Sequence, residues 1–357
     1  MIKVGINGFG RIGRAIFKNA ILFDDIEIVA INDINPELEN IAYLLKYDSY
    51  FGRFDGRIDV EDNTLIIDDK KIKVYQEKNI NHVPWEKDNC NLVIESAGKH
   101  SLLDELPTLL ERGVEKVIVT YSPNDKVDKH IVLGTNEHEY DFHSHNIISS
   151  SICDVVALSP VFKIINDNLK VNHGFLTTLH PWLAYQNLLD GPPESWGYPG
   201  SLYGHYSLGR ASTASLILKP TTAISAAEMV LPGIIHKMKC YSYRVPTPVV
   251  GAADITLSTK KKTDKKELIN LFRKNIDEQQ WPILYINNDP LVSVDFSGTH
   301  YSAIIDERWL DVIDGTLIKI TLWYDNEFGY SRRVTDLARF LFNKKPKKLI
   351  SEKNSLS

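Results

Sequence analysis

A chain of 357 residues has room for about two domains on the usual ~150-residue scale. Hydrophobic residues make up 43% and charged residues 24%, ordinary globular usage, and no uninterrupted apolar run approaches the ~20 residues a membrane span needs. The net charge of −5 argues against nucleic acid as an obligatory partner, and Cys90, Cys153 and Cys240 are too scattered for a disulfide framework or a zinc set, so no metal is expected. The chain enters a strand within three residues, which leaves no room for a secretory leader and makes a reducing, cytoplasmic location the expectation.

Lys3 to Asn7 predicts a short apolar strand, and Gly8-Phe9-Gly10-Arg11-Ile12-Gly13 fits G-x-G-x-x-G. Ile12, Ala15 and Ile16 then share one face of a helix, and a second strand from Ile26 to Ile31 runs into Asn32-Asp33. Each part has a mechanical task in binding a dinucleotide. Gly8 permits the tight turn, Gly10 lets the backbone approach a pyrophosphate, and Gly13 lets helix and strand pack closely. The helix N-terminus favours the phosphates. Asp33, twenty residues past Gly13, is placed to accept hydrogen bonds from an adenosine ribose. Its carboxylate would repel a 2′-phosphate, so NAD is favoured over NADP. The bland alternative, a glycine-rich turn, does not account for strand, motif, helix, strand and acid in register.

Strand candidates follow at Leu92 to Ser96, Lys116 to Thr120, His130 to Leu133 and Asn146 to Ser149, with a helix over Leu102 to Arg112. Strands alternating with helices imply a doubly wound, parallel sheet of Rossmann type. The second half changes character. A helix over Val161 to Leu169 precedes strands at Gly174 to Leu179, Lys239 to Val245, Ala253 to Ser258 and Leu317 to Tyr324. Gly191 to Gly209, rich in Gly, Pro, Tyr and Ser, reads as a long ordered loop of the kind that carries function. Val334, Leu337, Ala338 and Leu341 follow i, i+3, i+4, i+7, the apolar face of a packed helix. The tail from Asn343 carries five lysines and little apolar content and reads as a frayed, solvated end.

Taken together, these residues resemble the glyceraldehyde-3-phosphate dehydrogenase family from the N-terminus to about residue 342. The resemblance rests on Ile6 to Arg14, Ala30-Ile31-Asn32-Asp33, Tyr43 to Ser49, Tyr243-Arg244-Val245-Pro246-Thr247-Pro248 and Trp323 to Ser331. It implies an NAD-binding domain over residues 1–152, completed by a C-terminal helix at 331–343. It further implies an α+β catalytic domain over 153–330 with a mixed, largely antiparallel sheet, a tail at 344–357, and a homotetramer in which the long loop faces a neighbour's cofactor.

By the same resemblance, Cys153 in Ser150-Ser151-Ile152-Cys153 matches the thiolate that attacks an aldehyde, and its place near a helix N-terminus predicts a lowered pKa. His180, closing Thr177-Thr178-Leu179-His180, matches the imidazole that takes the thiol proton and polarises the hemithioacetal oxygen as hydride leaves. A buried structural cysteine and a satisfied strand-end histidine are the plain alternatives. Asn326 matches the residue that hydrogen-bonds the nicotinamide amide. Tyr330 either stacks nearby or is an aromatic core residue. Arg11, Ile12 and Thr120 complete the expected cofactor set.

The chain departs from the family around its nucleophile. The usual S-C-T-T-N-C run is here Ile152-Cys153-Asp154-Val155-Val156-Ala157, so the hydroxyls that help bind inorganic phosphate become a hydrocarbon and a carboxylate. An anion beside a phosphate dianion costs ~1 kcal/mol or more. H-x-x-T-x-D becomes His180-Pro181-Trp182-Leu183-Ala184-Tyr185, and Thr221-Thr222-Ala223-Ile224-Ser225 replaces a glycine-containing loop. Arg210 and Arg244 stay in register and suit phosphate or carboxylate, or else serve as structural ion-pair partners. The 191–209 loop is longer than in relatives and adds Trp196, Tyr198, Tyr203, His205 and Tyr206 near the expected mouth of the site.

Three readings follow. The first is NAD-dependent oxidation of a small-molecule aldehyde, glyceraldehyde 3-phosphate foremost, through a Cys thiohemiacetal and thioester. The second is a specialised relative that passes another acyl group to water or an amine, with Asp154 as a base. The third is a catalytically silent NAD-binding protein, against which the retention of Cys153 and His180 argues.

Overall fold

The computed structural model describes residues 1–346, so that most of the lysine-bearing tail expected at 344–357 lies outside the described residues. The chain divides into two compact units. One holds Met1–Ile131, Glu139–Ser151 and Ser331–Pro346, and the other holds Val132–His138 and Ile152–Tyr330.

In the first unit β1 (Ile2–Asn7), α1 (Arg11–Ala20) and β2 (Ile26–Asn32) form the opening βαβ turn. After α2 (Leu38–Lys46) comes a meander of β3 (Ile58–Glu61), β4 (Thr64–Ile67) and β5 (Lys70–Tyr75). Then follow β6 (Leu92–Glu95), α3 (Leu106–Glu111), β7 (Lys116–Val119), β8 (Lys129–His130) and β9 (Ile147–Ser149). They make one nine-stranded sheet in the order β8-β9-β7-β6-β1-β2-β5-β4-β3. Every pairing from β8 to β5 is parallel, and the meander adds an antiparallel edge, so the expected Rossmann-type sheet is present. Strands buried on both faces read as near-continuous apolar runs, as Leu92–Glu95 and Lys116–Val119 do apart from one charged residue at an end of each. The meander, whose burial alternates along its edge strand, escapes that signal.

Two local expectations change. The helix expected from Leu102 is a 3₁₀ turn over His100–Glu105, and α3 starts only at Leu106, where Pro107 suits a first helical turn. The strand expected over His130 to Leu133 ends at His130. The Ile131 N–H still reaches the Ser149 carbonyl at 2.9 Å, but the Val132 N–H turns to the Asn136 side chain, so Val132 and Leu133 are buried outside the ladder.

The second unit begins with α4 (Cys153–Leu169), β10 (Val171–Pro181), β11 (Ile217–Lys219), α5 (Ala223–Glu228), β12 (Met238–Val245) and β13 (Gly251–Thr259). Next come α6 (Lys265–Glu278), β14 (Leu284–Asn287), β15 (Ala303–Asp306), β16 (Asp311–Ile313) and β17 (Leu317–Tyr324). The sheet runs β11-β12-β10-β13-β17-β15-β14, with β16 also on β17. Only β10/β12 and β14/β15 are parallel, giving the mixed, largely antiparallel sheet expected. Leu176, Ile255, Ile320 and Leu322 are buried in it.

The helix expected from Val161 begins eight residues earlier and runs through Pro160. Burial along both halves, from Val155 to Ile165, overrides the break that an internal proline favours. The last helix, α7 (Phe328–Leu341), buries Val334, Leu337, Ala338 and Leu341. Within the first unit, Arg339 on this helix forks onto Asp25 at 2.9 Å and lies 4.3 Å over the Phe23 ring. No helix among the described residues is long and apolar enough to cross a membrane.

Candidate active site

The opening turn is a backbone device. Gly8 has φ +86°, and a Cβ there would lie 2.5 Å from the Ala97 nitrogen. At Gly13 a Cβ would lie 2.1 Å from the Gly8 carbonyl oxygen, so helix and turn meet backbone to backbone. Gly10 is different, since a Cβ would meet nothing within 4 Å. It caps α1 with no side-chain hydrogen bond, leaving an open approach at the helix N-terminus where a pyrophosphate fits. The Asp33 carboxylate lies beside the turn and accepts from the Phe9 N–H at 2.6 Å and the Asn35 N–H at 2.9 Å. Arg11 reaches Asp48 at 3.4 Å, and Ile12 is half-buried in the first turn of α1. Thr120, just past β7, donates from both N–H and hydroxyl to the Glu95 carbonyl at 3.1 Å.

Glu95 itself, at the end of β6, is a residue the motif reading missed. Its carboxylate accepts from the Asn7 amide and from the Ala97 and Gly98 N–H groups, bracing the loop against the glycine turn. Burial pushes it up to about 7.

In the second unit, Asn326 is 4% exposed and its Oδ1 has no partner, a buried acceptor suited to an amide N–H. Tyr330 is buried.

The thiol and imidazole are brought together by α4 and β10. Ser151 takes φ +62°, a left-handed residue that turns the chain sharply, Ile152 is extended, and Cys153 is the first residue of α4. His180 sits near the end of β10, where Nε2 lies 3.5 Å from the Cys153 Sγ. Its Nδ1 is 2.7 Å from the Pro181 carbonyl, which can only accept, so Nδ1 carries the proton and Nε2 faces the thiol as a base. Burial, then the Arg244 charge, lowers His180 to about 4. Burial and the neighbouring Asp154 push the Cys153 thiol up, against a smaller opposing effect of Arg244. The lowered thiol pKa expected from the helix N-terminus is therefore corrected. Lost solvent and an adjacent carboxylate outweigh the backbone N–H groups at the helix start, which favour the thiolate.

Asp154 is buried and accepts from the Tyr324 hydroxyl at 2.7 Å. Cys153, Asp154 and His180 each offer a ligand atom within 4.8 Å of the others.

The sheet register places the cations. His180 pairs with Arg244, Arg244 with Ile217, Thr178 with Ser242, and Ser242 with Lys219. Side chains two residues apart on a strand share a face, so Lys219, Arg244 and His180 lie on one side of the sheet. Arg244 is 7% exposed, and its Nε and Nη1 have no partner. Tyr185 hydrogen-bonds this guanidinium and Tyr203, and its ring packs on Trp196 and Tyr203 at 6.4 and 5.7 Å. Two of the added loop aromatics thus pack on Tyr185, Tyr203 half-buried and Trp196 itself exposed, and Tyr198, His205 and Tyr206 are exposed as well.

Lys219 was not singled out in the sequence. Burial and Arg244 lower it to about 8, and it feels the Asp154 and Cys153 charges. The only sequence sign is a lysine closing an otherwise apolar Ile-Leu-Lys-Pro strand. Arg210 adopts the ion-pair alternative, bonding Asp190 at 2.7 Å with two-thirds of its side chain exposed.

Comparison with known proteins bears on both units. The family described as "Glyceraldehyde 3-phosphate dehydrogenase, NAD binding domain" matches residues 2–102, and its "C-terminal domain" counterpart matches residues 152–326. The chain is 36% identical over 345 residues to "Glyceraldehyde-3-phosphate dehydrogenase" of Geobacillus stearothermophilus, covering 96% of this chain and 99% of the relative. It is 35% identical over 338 residues to "Glyceraldehyde-3-phosphate dehydrogenase 1" of Schizosaccharomyces pombe, covering 95% and 97%.

Proposed function

We propose, for a chain that belongs to the glyceraldehyde-3-phosphate dehydrogenase family of NAD-dependent oxidoreductases, that it oxidises an anionic aldehyde, glyceraldehyde 3-phosphate foremost, on Cys153. The observation that carries the substrate's charge is the buried Arg244 with two unpartnered nitrogens, joined on the same sheet face by Lys219. A buried guanidinium without an anion is costly, and a phosphate or carboxylate group would answer it. Lys219 then supplies the positive charge where the family's hydroxyls are missing.

In this reading Nε2 of His180 takes the thiol proton as the Cys153 sulfur adds to the aldehyde carbon, and the carbonyl oxygen, once protonated, completes a thiohemiacetal. Bound NAD would supply the acceptor for the hydride on that carbon. His180 takes the hydroxyl proton as the hydride departs, and a thioester on Cys153 remains. Attack by an acceptor then frees the thiol. Gly8, Gly10, Gly13 and Asp33 would hold the pyrophosphate and ribose, and Asn326 would accept from the nicotinamide amide.

Inorganic phosphate is the acceptor in the first reading. Asp154, buried beside the nucleophile, favours water as a second, because its charge opposes an incoming dianion. The test is NADH formation from glyceraldehyde 3-phosphate with and without phosphate. Saturable dependence on phosphate supports the first reading, phosphate-independent turnover the second, and no turnover at high aldehyde removes both.

Two further parts of the proposal are assembly and location. Phe175, Leu179, Tyr241 and Leu218 expose apolar surface on the opposite face of the second sheet, with Phe175 and Tyr241 stacked at 6.5 Å. That surface supports a homo-oligomer, a tetramer by family, to be checked by light scattering on the purified chain. Three free cysteines suit the reducing cytoplasm, which cell fractionation would test.

A further inference from the structure

We propose that Cys153, Asp154 and His180 form a binding site for a soft divalent cation of the Zn²⁺ type, which switches off the catalytic pair when occupied. It rests on the arrangement of three side chains and stands whichever aldehyde the enzyme takes.

The geometry is the first support. A tetrahedral zinc with bonds of about 2.3 Å to sulfur and about 2.0–2.1 Å to nitrogen holds those two atoms about 3.5 Å apart. Cys153 Sγ and His180 Nε2 are 3.5 Å apart, and a carboxylate oxygen of Asp154 lies within 4.8 Å of both. Three protein ligands leave a fourth position for water, the pattern of an open zinc site.

The surroundings are the second support. The Nδ1 proton of His180 is committed to the Pro181 carbonyl, which turns the lone pair of Nε2 inward. The Tyr324 hydroxyl donates to Asp154 Oδ1 at 2.7 Å and so fixes the orientation of the carboxylate. Ligating imidazoles and carboxylates are oriented by such outer bonds, and both are already made here.

Charge and ligand type select the ion. A thiolate and a carboxylate together neutralise a dication, so the complex is tolerable in a buried place beside Arg244 and Lys219. Mg²⁺ and Ca²⁺ prefer six or more oxygen ligands, and the cluster offers one carboxylate with a sulfur and a nitrogen. Binding forms sulfur–metal, nitrogen–metal and oxygen–metal bonds, the Cys153 thiol proton leaves to solvent, and nothing is oxidised or reduced. The sulfur and Nε2 lone pairs needed for attack on an aldehyde are then both engaged. Asp154 is what turns a catalytic thiol–imidazole pair into a three-ligand site.

The test titrates the full, reduced, chelator-free chain with Zn²⁺ by calorimetry in buffers of different ionisation enthalpy, and with Co²⁺ by absorption. The expected result is a single equivalent of Zn²⁺ with release of about one proton, and a thiolate-to-cobalt charge-transfer band. Both should vanish after alkylation of Cys153 in the native protein and in Cys153→Ser, and Mg²⁺ should give neither. Asp154→Asn should weaken Zn²⁺ by about tenfold or more, and Tyr324→Phe should weaken it less. Zn²⁺ binding that survives alkylation, or is equally tight in Asp154→Asn, would overturn the proposal. So would a Co²⁺ spectrum without the thiolate band. All of these readouts are independent of turnover, so they separate this inference from the dehydrogenase reading.

Discussion

The glycine turn and the thiol cluster solve opposite problems. At the turn, absence of side chains is the device. Gly8 and Gly13 pack backbone against backbone, and Gly10 keeps a face open. At the cluster, crowding is the device. A thiol, an imidazole, a carboxylate, a phenol, a guanidinium and an amine share a buried space, and each sets the charge state of its neighbours. A steric site is intolerant of added atoms, whereas an electrostatic site is intolerant of changed charge.

The largest expected effect is at the sulfur. Cys153→Ser should lower aldehyde oxidation by roughly three orders of magnitude or more while NAD affinity, measured by fluorescence titration, is unchanged. Loss of NAD binding in that variant would merge the two regions that the comparison separates.

The turn offers an internal contrast. Gly13→Ala drives a Cβ into the Gly8 carbonyl and should cost about 2–3 kcal/mol in chemical unfolding. Gly10→Ala meets no protein atom and should leave the unfolding midpoint in place, yet weaken NAD by about tenfold if the pyrophosphate approaches there. Equal destabilisation by both would refute the division of labour.

Lys219→Met should raise KM for an anionic aldehyde by about tenfold with a smaller change in kcat, the loss of a charge-assisted contact of about 1.5 kcal/mol. Because Lys219 is lowered to about 8, its charge is present below that pH and lost above it. The wild-type KM should therefore rise as pH passes upward through about 8, and this limb should disappear in Lys219→Met. A limb that persists would assign the titration elsewhere.

Asp154→Thr tests the thiol's environment. Removing the carboxylate that raises the Cys153 pKa should speed iodoacetamide alkylation at neutral pH by roughly tenfold, about one pKa unit. An unchanged rate would show that burial alone governs the thiol.

Legibility in the sequence follows the same division. The opening turn could be read because its parts are adjacent and each glycine has a local conformational or steric reason. Cys153 and His180 could be placed by motif, but their charge states could not, since these depend on burial and on Arg244 and Asp154 around them. Lys219 escaped notice because a lysine ending a three-residue strand looks like a surface cap until β11 is docked on β12. The helix Lys265–Glu278 was missed despite a visible signal, Asp264 capping the Glu267 N–H at 2.8 Å.

By itself the sequence determined the parallel first sheet and the dinucleotide turn, written in contiguous residues whose apolar runs and glycines act over a few ångströms, while the family resemblance pointed to Cys153 and His180 as nucleophile and base. Only the tertiary structure decided that Arg210 pairs with Asp190 while Arg244 stays buried with two of its nitrogens unpartnered, that Lys219 shares its sheet face, and that an Asp154 oxygen lies within 4.8 Å of the sulfur and the imidazole nitrogen. Those outcomes depend on strand register and the docking of a helix start against a sheet edge. Charge acts through space, and chain spacing carries no record of it until residues 154, 180, 219, 244 and 324 are folded together.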